Sequence, residues 1–389
     1  MTIEGRDDGA TGGRIRLGMV GGGQGAFIGG VHRMAARLDD QFALLAGALS
    51  ADPDRARASA ADLGLAPERS YGDFAEMARA EAARADGIEA VAVVTPNHLH
   101  CTVARAFLEA GIAVICDKPL AADLQDALDL ADMVVRAGVP FFVTYNYSGY
   151  PMVRQAREMV AAGAIGELRV VQVEYPQDWL TEPLEATGQK QADWRTDPAR
   201  AGAGCIGDIG THAFHLAGFV TGLQPESLCA DLTTFVAGRR VDDNVHVLLR
   251  YPTGARGMLW SSQVAPGNEN ALRLRVYGSR GGLEWAQEQP NHLWFTPFGQ
   301  PTRLITRAGV GAGPAAARVT RIPAGHPEGY IEGFATLYAE VGRILRARRA
   351  GEGPPPEALC PGIEDGLRGV AFIDAALRSS RAGSAWVSL

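Results

Sequence analysis

Short apolar runs at 15–20 (IRLGMV), 42–49 (FALLAGAL), 90–95 (AVAVVT), 112–117 (IAVICD) and 140–145 (PFFVTY) mark the first 145 residues, with helically spaced segments such as VARAFLEAG and ALDLADMVVRAG between them. Strands apolar along their whole length are covered on both faces, and their alternation with helices predicts a parallel sheet. Ligands of such sheets bind beyond the carboxyl ends of the strands. After about residue 150 the texture changes. A helical segment (MVRQAREMVAAG), a strand (LRVVQVEY), a polar stretch from 176 to 204 and a short helix from about 208 lead into strand-like runs over 227–307. Within these, LRLRVYG alternates apolar with charged positions, the mark of an antiparallel sheet with one wetter face. Helical segments at about 328–349 and 363–381 flank the loop GEGPPPEALCPG. The expected architecture is α/β: a tail at 1–13, a parallel-sheet domain at 14–147, and an α+β domain at 148–389 without internal repeats.

Composition narrows the function classes. At 389 residues, 47% hydrophobic and 21% charged, the chain can bury a sizeable core. A net charge of -7 leaves no electrostatic footprint for nucleic acid, and the basic run RILRARRA reads as a solvated helix face. The five cysteines are odd in number and form no CxxC pair, which favours reduced thiols over a disulfide framework or zinc ribbon. The opening residues are polar and acidic, and no apolar run is long enough to span a membrane, so a cytoplasmic location without membrane contact is expected.

Candidate chemistry clusters at the predicted strand ends. LGMVGGGQGAFIGGVH passes from strand through a glycine-rich turn into a helix, the context of a dinucleotide-binding turn. Gly21 and Gly23 fit its first two positions; the third is Gly29 if the turn holds three extra residues, and otherwise Ala26. Gln24, Phe27 and Ile28 would complete that wall. The second strand ends GALSADPDR, placing Ser50 where a ribose-binding carboxylate is expected, Asp52 two residues on, and Arg55 nearby. Asp52 inclines the choice towards NAD and Arg55 keeps NADP open.

Two more segments follow strands directly. TPNHLH brings Thr95, Pro96, Asn97 and His100 to the carboxyl edge of the sheet, and CDKPL brings Asp117 and Lys118, all six expected as cofactor contacts beside the nicotinamide. The chain has only two lysines, Lys118 and Lys190, and uses arginine elsewhere. Lysine is a compact charge that can surrender its proton when suitably surrounded, which arginine cannot. Lys118 is therefore a candidate for holding a substrate oxygen, against the plainer reading of an ion pair with Asp117. In GCIGDIGTHAFHLAGFVTG, Asp208 and His212 share a helical face, a pairing suited to a general base and its orienting carboxylate. The plainer reading makes Asp208 a helix cap. His215 faces elsewhere, and no metal site is expected.

Taken together, the Gly21 turn, Thr95 to His100, Asp117-Lys118-Pro119, the Asp208/His212 helix and VYGSRGGLEW resemble the glucose-fructose oxidoreductase, inositol dehydrogenase and rhizopine-catabolism (Gfo/Idh/MocA) family over nearly the whole chain. Asp117 departs from the family's glutamate. The resemblance implies a Rossmann domain followed by a domain with a large, mostly antiparallel, open-faced sheet. It also implies NAD(P)-dependent hydride transfer at a secondary hydroxyl of a sugar or cyclitol, with His212 taking the proton, Lys118 polarising the oxygen and Asp208 orienting. Sugar contacts are expected from Tyr147, Gln177, Asp178, Trp179, Lys190, Trp194 and Arg195. A homodimer or homotetramer is expected through the sheet face bearing Trp260, Met258 and Val276. Rival readings are a glycosidase or lyase working by transient sugar oxidation, and a dinucleotide-sensing regulator.

Overall fold

The computed structural model describes residues 13–389, so the tail expected at 1–13 lies outside the described residues except for Gly13. Five parallel strands, β1 (Ile15–Gly21), β2 (Phe42–Ala48), β3 (Ala90–Val94), β4 (Ala113–Cys116) and β5 (Phe141–Val143), stand in the order β2-β1-β3-β4-β5. Helices α1 (Phe27–Leu38), α2 (Pro53–Asp62), α3 (Phe74–Ala82), α4 (His100–Glu109) and α5 (Leu124–Ala137) fill the connections. Every residue of β3 and β4 is buried, as a run apolar at both parities requires. The order reverses between β1 and β3, and the glycine turn and the Thr95 segment both leave the sheet at that crevice.

After α6 (Pro151–Ala161) comes a nine-stranded sheet ordered β13-β12-β11-β10-β6-β9-β8-β7-β14. Its strands are β6 (Leu168–Pro176), β7 (Ser227–Thr233), β8 (Asn244–Arg250), β9 (Arg256–Ser262), β10 (Arg273–Gly278), β11 (Gly281–Ala286), β12 (His292–Pro297), β13 (Arg303–Thr306) and β14 (Val387–Ser388). All neighbours run antiparallel except β6 and β9, which are parallel. The edge strand β14 was not foreseen, since two residues carry no period. The remaining helices are α7 (Lys190–Arg195), α8 (Pro198–Ala201), α9 (Thr211–Thr221), α10 (Pro314–Ala317), α11 (Tyr330–Arg349) and α12 (Ile363–Arg381).

One sheet face joins α6, α9 and α12 in a core that includes Val171, Val247, Leu259, Phe214 and Phe372. The other face leaves Val170, Leu248, Met258, Tyr277 and Leu304 exposed. Val276, expected there, points the opposite way: it is fully buried between Val171 and Leu283, because a one-residue offset reverses the face of a strand residue.

Chain order also misleads at α11. Its Phe334, Ala335, Tyr338, Val341 and Leu345 are buried in the core of the parallel sheet, not in that of the second sheet. His32 of α1 meets Tyr338 at 2.8 Å, and Arg321 pairs with Asp39 at 2.5 Å. The two sheets are thus fastened by a helix returning from beyond residue 329, which a division at 147/148 does not anticipate.

Candidate active site

A cavity of about 1240 Å³ runs from the glycine turn, past the ends of β2, β3 and β4, to β6 and α9. At its first end the backbone shape explains the glycines. Gly21 has φ +79°, and a Cβ there would lie 2.8 Å from the Val94 carbonyl. Gly29, in the first turn of α1, sits so close to Gly22 that a Cβ would lie 2.4 Å from the Gly22 Cα. The close helix–strand approach therefore falls to Gly29, with Ala26 as N-cap residue. No side chain caps α1 and its first turn carries no acid, which leaves its amide donors for an anion.

The end of β2 corrects one expectation. Asp52 does not line the cavity; it caps α2, its Oδ1 accepting from Arg55 N at 2.8 Å. Ser50, Ala51 and Arg55 form the wall instead. His100 is likewise displaced from the expected cofactor wall: it is buried with Nδ1 2.8 Å from the Pro119 carbonyl and Nε2 2.9 Å from that of Thr95. Burial pushes its pKa down, and it fastens the β3 and β4 exit loops together. Thr95, Pro96, Asn97 and Asp117 line the cavity, as do Gly21, Gly23, Gln24, Ala26, Phe27 and Ile28.

At the other end Lys118 crosses to the turn that leads into α9. Its Nζ donates to the Asp208 carbonyl at 2.5 Å and to Asp208 Oδ1 at 3.2 Å. It does not pair with Asp117, whose Oδ1 accepts from Lys118 N at 3.0 Å and from Thr144 Oγ1 at 2.8 Å. Asp208 lies in a π-helical turn, Ile206–Gly210, where Thr211 N reaches back to Ile206 O. Such turns recur at functional sites because they disturb the regular carbonyl pairing. The turn is anchored by buried Asp242, whose two oxygens accept from Gly204 N and Ile206 N, each at 2.8 Å.

The charges are balanced around Asp208. Gln263 Nε2 donates to Oδ2 at 2.8 Å and Arg195 Nε lies 3.4 Å from it. Burial alone would raise the Asp208 pKa, but Lys118 and Arg195 overcome that and hold the carboxyl well below its usual range. Burial and then the Lys118 charge push His212 well below the ordinary histidine value, against a smaller opposing effect of Asp208. His212 is therefore a neutral imidazole at pH 7. Its Nδ1 is buried without a partner, while the rings of Tyr147 and Tyr145 stand edge-on at 4.9 and 5.8 Å.

Beyond His212 runs a polar chain: Tyr147 and Tyr175 hydroxyls 2.5 Å apart, Tyr175 donating to Asn270 Oδ1 at 2.8 Å, Gln177 Nε2 donating to the same oxygen at 2.7 Å, and Trp179 Nε1 donating to Gln177 Oε1 at 3.1 Å. Burial pushes the Tyr147 phenol up to about 12, so it stays a neutral donor. Lys190, Trp194 and Arg195 of α7 line the same wall, with Arg195 stacked over Trp194. Asp178 does not; its Oδ2 accepts from Gly267 N at 3.1 Å. Tyr175, Asn270, Asn146 and Tyr330 also line the cavity and were missed. Tyr175 reads as one aromatic in an alternating strand, Asn270 sits in a turn, and Tyr330 arrives from the far end of the chain. No grouping of ligating side chains that could hold a metal occurs among the described residues.

Comparison with known proteins agrees with this layout. Residues 15–145 match the oxidoreductase family with an NAD-binding Rossmann fold, and residues 153–284 match the GFO/IDH/MocA C-terminal domain. The uncharacterised oxidoreductase YfiI of Bacillus subtilis is 34% identical over 379 residues, 96% of each chain. Levoglucosan dehydrogenase of Pseudarthrobacter phenanthrenivorans is 28% identical, covering 96% of this chain and 98% of its own. An inositol dehydrogenase homolog from Azotobacter vinelandii, solved with NADH and myo-inositol, is 38% identical with a TM-score of 0.91, covering 97% of this chain and 98% of that one. Two sheets, a glycine turn made for a dinucleotide and relatives spanning the full length leave one assignment: the chain belongs to the GFO/IDH/MocA family and is an NAD-binding oxidoreductase of the sugar and inositol dehydrogenase type.

Proposed function

We propose that the enzyme oxidises one secondary hydroxyl of a cyclitol or a pyranose-type sugar, with NAD as acceptor. The carrying observation is that an ammonium (Lys118), an ionised carboxylate (Asp208) and a neutral imidazole (His212) meet in one cavity with the glycine turn. The uncapped N-terminus of α1 suits a pyrophosphate, and Gly21, Gly23, Gln24, Thr95, Asn97 and Asp117 are the residues that would hold the dinucleotide. Bound NAD supplies the hydride acceptor.

The chain's own groups divide the rest. Asp208, held ionised by two cations, is a poor base, so His212 takes the hydroxyl proton. Lys118 gives two N–H groups to Asp208, and its third is free to polarise the reacting oxygen. Asp208 accepts from a neighbouring hydroxyl and aligns Lys118. Tyr147, Gln177, Trp179, Lys190, Trp194 and Arg195 read the remaining hydroxyls, with aromatic faces against sugar C–H surfaces. In support, structural relatives were solved with NADH and myo-inositol or levoglucosan.

The test is a panel of inositols, aldoses, aldonolactones, levoglucosan and aryl glycosides, each with NAD and with NADP, reading reduced nicotinamide, released aglycone and cofactor binding. Net reduction with a cyclitol or sugar is expected. Glycoside turnover without net reduction, or cofactor binding with no turnover across the panel, would remove this reading.

A further inference from the structure

Gln263, which lies just past β9 and outside the cavity wall, holds the reactive carboxylate from behind. Its side chain is 2% exposed and its Nε2 donates to Asp208 Oδ2 at 2.8 Å. Its own backbone is fixed on both sides: Gln263 N donates to Asp243 O at 2.8 Å, and Gln263 O accepts from Leu180 N at 3.0 Å. Asp243 in turn is fully buried and accepts from Phe235 N and Val236 N. The amide is thus delivered from the end of β9 by a backbone bonded on both sides.

Asp208 therefore has a divided task. Oδ1 faces Lys118 from the first domain, and Oδ2 faces Gln263 from the second. The other charged or titratable groups around it are Arg195, on α7, His212, one turn on in α9, and the phenols of Tyr147, Tyr175 and Tyr330, which burial keeps neutral. Of the three side chains that reach the Asp208 oxygens, Lys118, Arg195 and Gln263, only Gln263 is uncharged, so it sets the rotation of the carboxylate without adding to the positive charge that depresses His212. An acid in its place would face Asp208 as a like charge; a leucine would leave Oδ2 to Arg195 and let the group turn.

We infer that Gln263 is a positioning residue for the reaction, fixing the Asp208 carboxylate so that Lys118 is presented to the substrate oxygen. This rests on the role given to Asp208 in the reading above, and the test separates the two. NADH formation from myo-inositol or levoglucosan is compared in wild type, Gln263→Leu, Gln263→Glu, Asp208→Asn and the double variant Asp208→Asn/Gln263→Leu. Gln263→Leu is expected to lose about 10- to 100-fold in kcat, the size of a hydrogen bond to a charged group, with KM for NAD unchanged. In the Asp208→Asn background the same change is expected to cost less than about twofold, because contacting residues couple.

A second measurement needs no substrate. In Gln263→Glu the introduced carboxyl, buried and facing the Asp208 carboxylate that Lys118 and Arg195 keep ionised, takes up the proton, so its folded pKa rises above its unfolded value. The thermal midpoint should match that of wild type near pH 4 and fall below it progressively as pH rises to 8. A deficit in midpoint independent of pH, or Gln263→Leu costing as much without the Asp208 carboxylate as with it, overturns the inference. If Asp208→Asn itself retains full kcat, the reading of Asp208 fails, and the midpoint still reports whether Gln263 faces the carboxylate.

Discussion

At the scale of single residues, one contact distinguishes Lys118 from the thirty-five arginines: a compact ammonium bonds the carbonyl and the carboxylate of Asp208 and keeps a third proton. A planar guanidinium at this position spreads its donors over a wider fork. Lys118→Arg should lower kcat about 100- to 10,000-fold, while NAD binding followed by protein fluorescence stays within about twofold of wild type; near-normal turnover would show that no special role belongs to the ammonium. The pH behaviour follows from His212. Its pKa is depressed in the folded chain, so it remains a base as pH falls below 6.5, and the acid limb of kcat/KM should lie well below that of an exposed histidine. The sign for stability is the same: unfolded His212 binds a proton below about pH 6.5 and folded His212 does not, so this residue's contribution is intact above that pH and is lost on acidification. Asp208, also depressed, adds a second loss below about pH 4. A midpoint that rose on acidification from pH 7 to 5 would contradict the His212 assignment.

At the scale of elements, the site depends on how helices begin. Helix α1 starts bare and faces the cavity, whereas α2 starts with Asp52 bonded to Arg55 N. Asp52→Ala should therefore cost about 1 kcal/mol of stability, the usual worth of a cap, and leave KM for NAD within about threefold. A large rise in that KM would return Asp52 to the ribose. Gly29→Ala tests the first turn of α1 itself. Its methyl would lie 2.4 Å from Gly22 Cα, so the helix must shift; about 1–3 kcal/mol and most of the NAD affinity should be lost together. Calorimetric titration with NAD, alongside chemical unfolding, reads both changes. The spacing of the glycines allowed Gly29 or Ala26, and only the contact with Gly22 chose between them.

At the scale of the molecule, Lys118 comes from one sheet, Asp208 and His212 from a helix on the other, and α11 fastens the two. The exposed face bearing Val170, Leu248, Met258, Tyr277 and Leu304 is the surface we propose for self-association. Leu248→Lys with Met258→Glu should yield a smaller species by light scattering, with kcat changed less than twofold since neither residue lines the cavity. What the sequence by itself determined was whatever is encoded locally: five strands from continuous apolar runs, the alternation of the second sheet, the glycine turn, and the residue types bearing chemistry at strand and helix ends. What only tertiary structure decided were the partners and the facing of particular side chains: Lys118 on Asp208 rather than Asp117, Asp52 spent on a cap, His100 sealed between two carbonyls, Val276 turned inward, Tyr175 brought beside His212 and bonded to Asn270, and Gln263 brought onto Asp208. The physical reason is that periodicity reports which side of an element is buried, whereas the partner of a polar group is set by which distant donor or acceptor the packed chain delivers within hydrogen-bond reach.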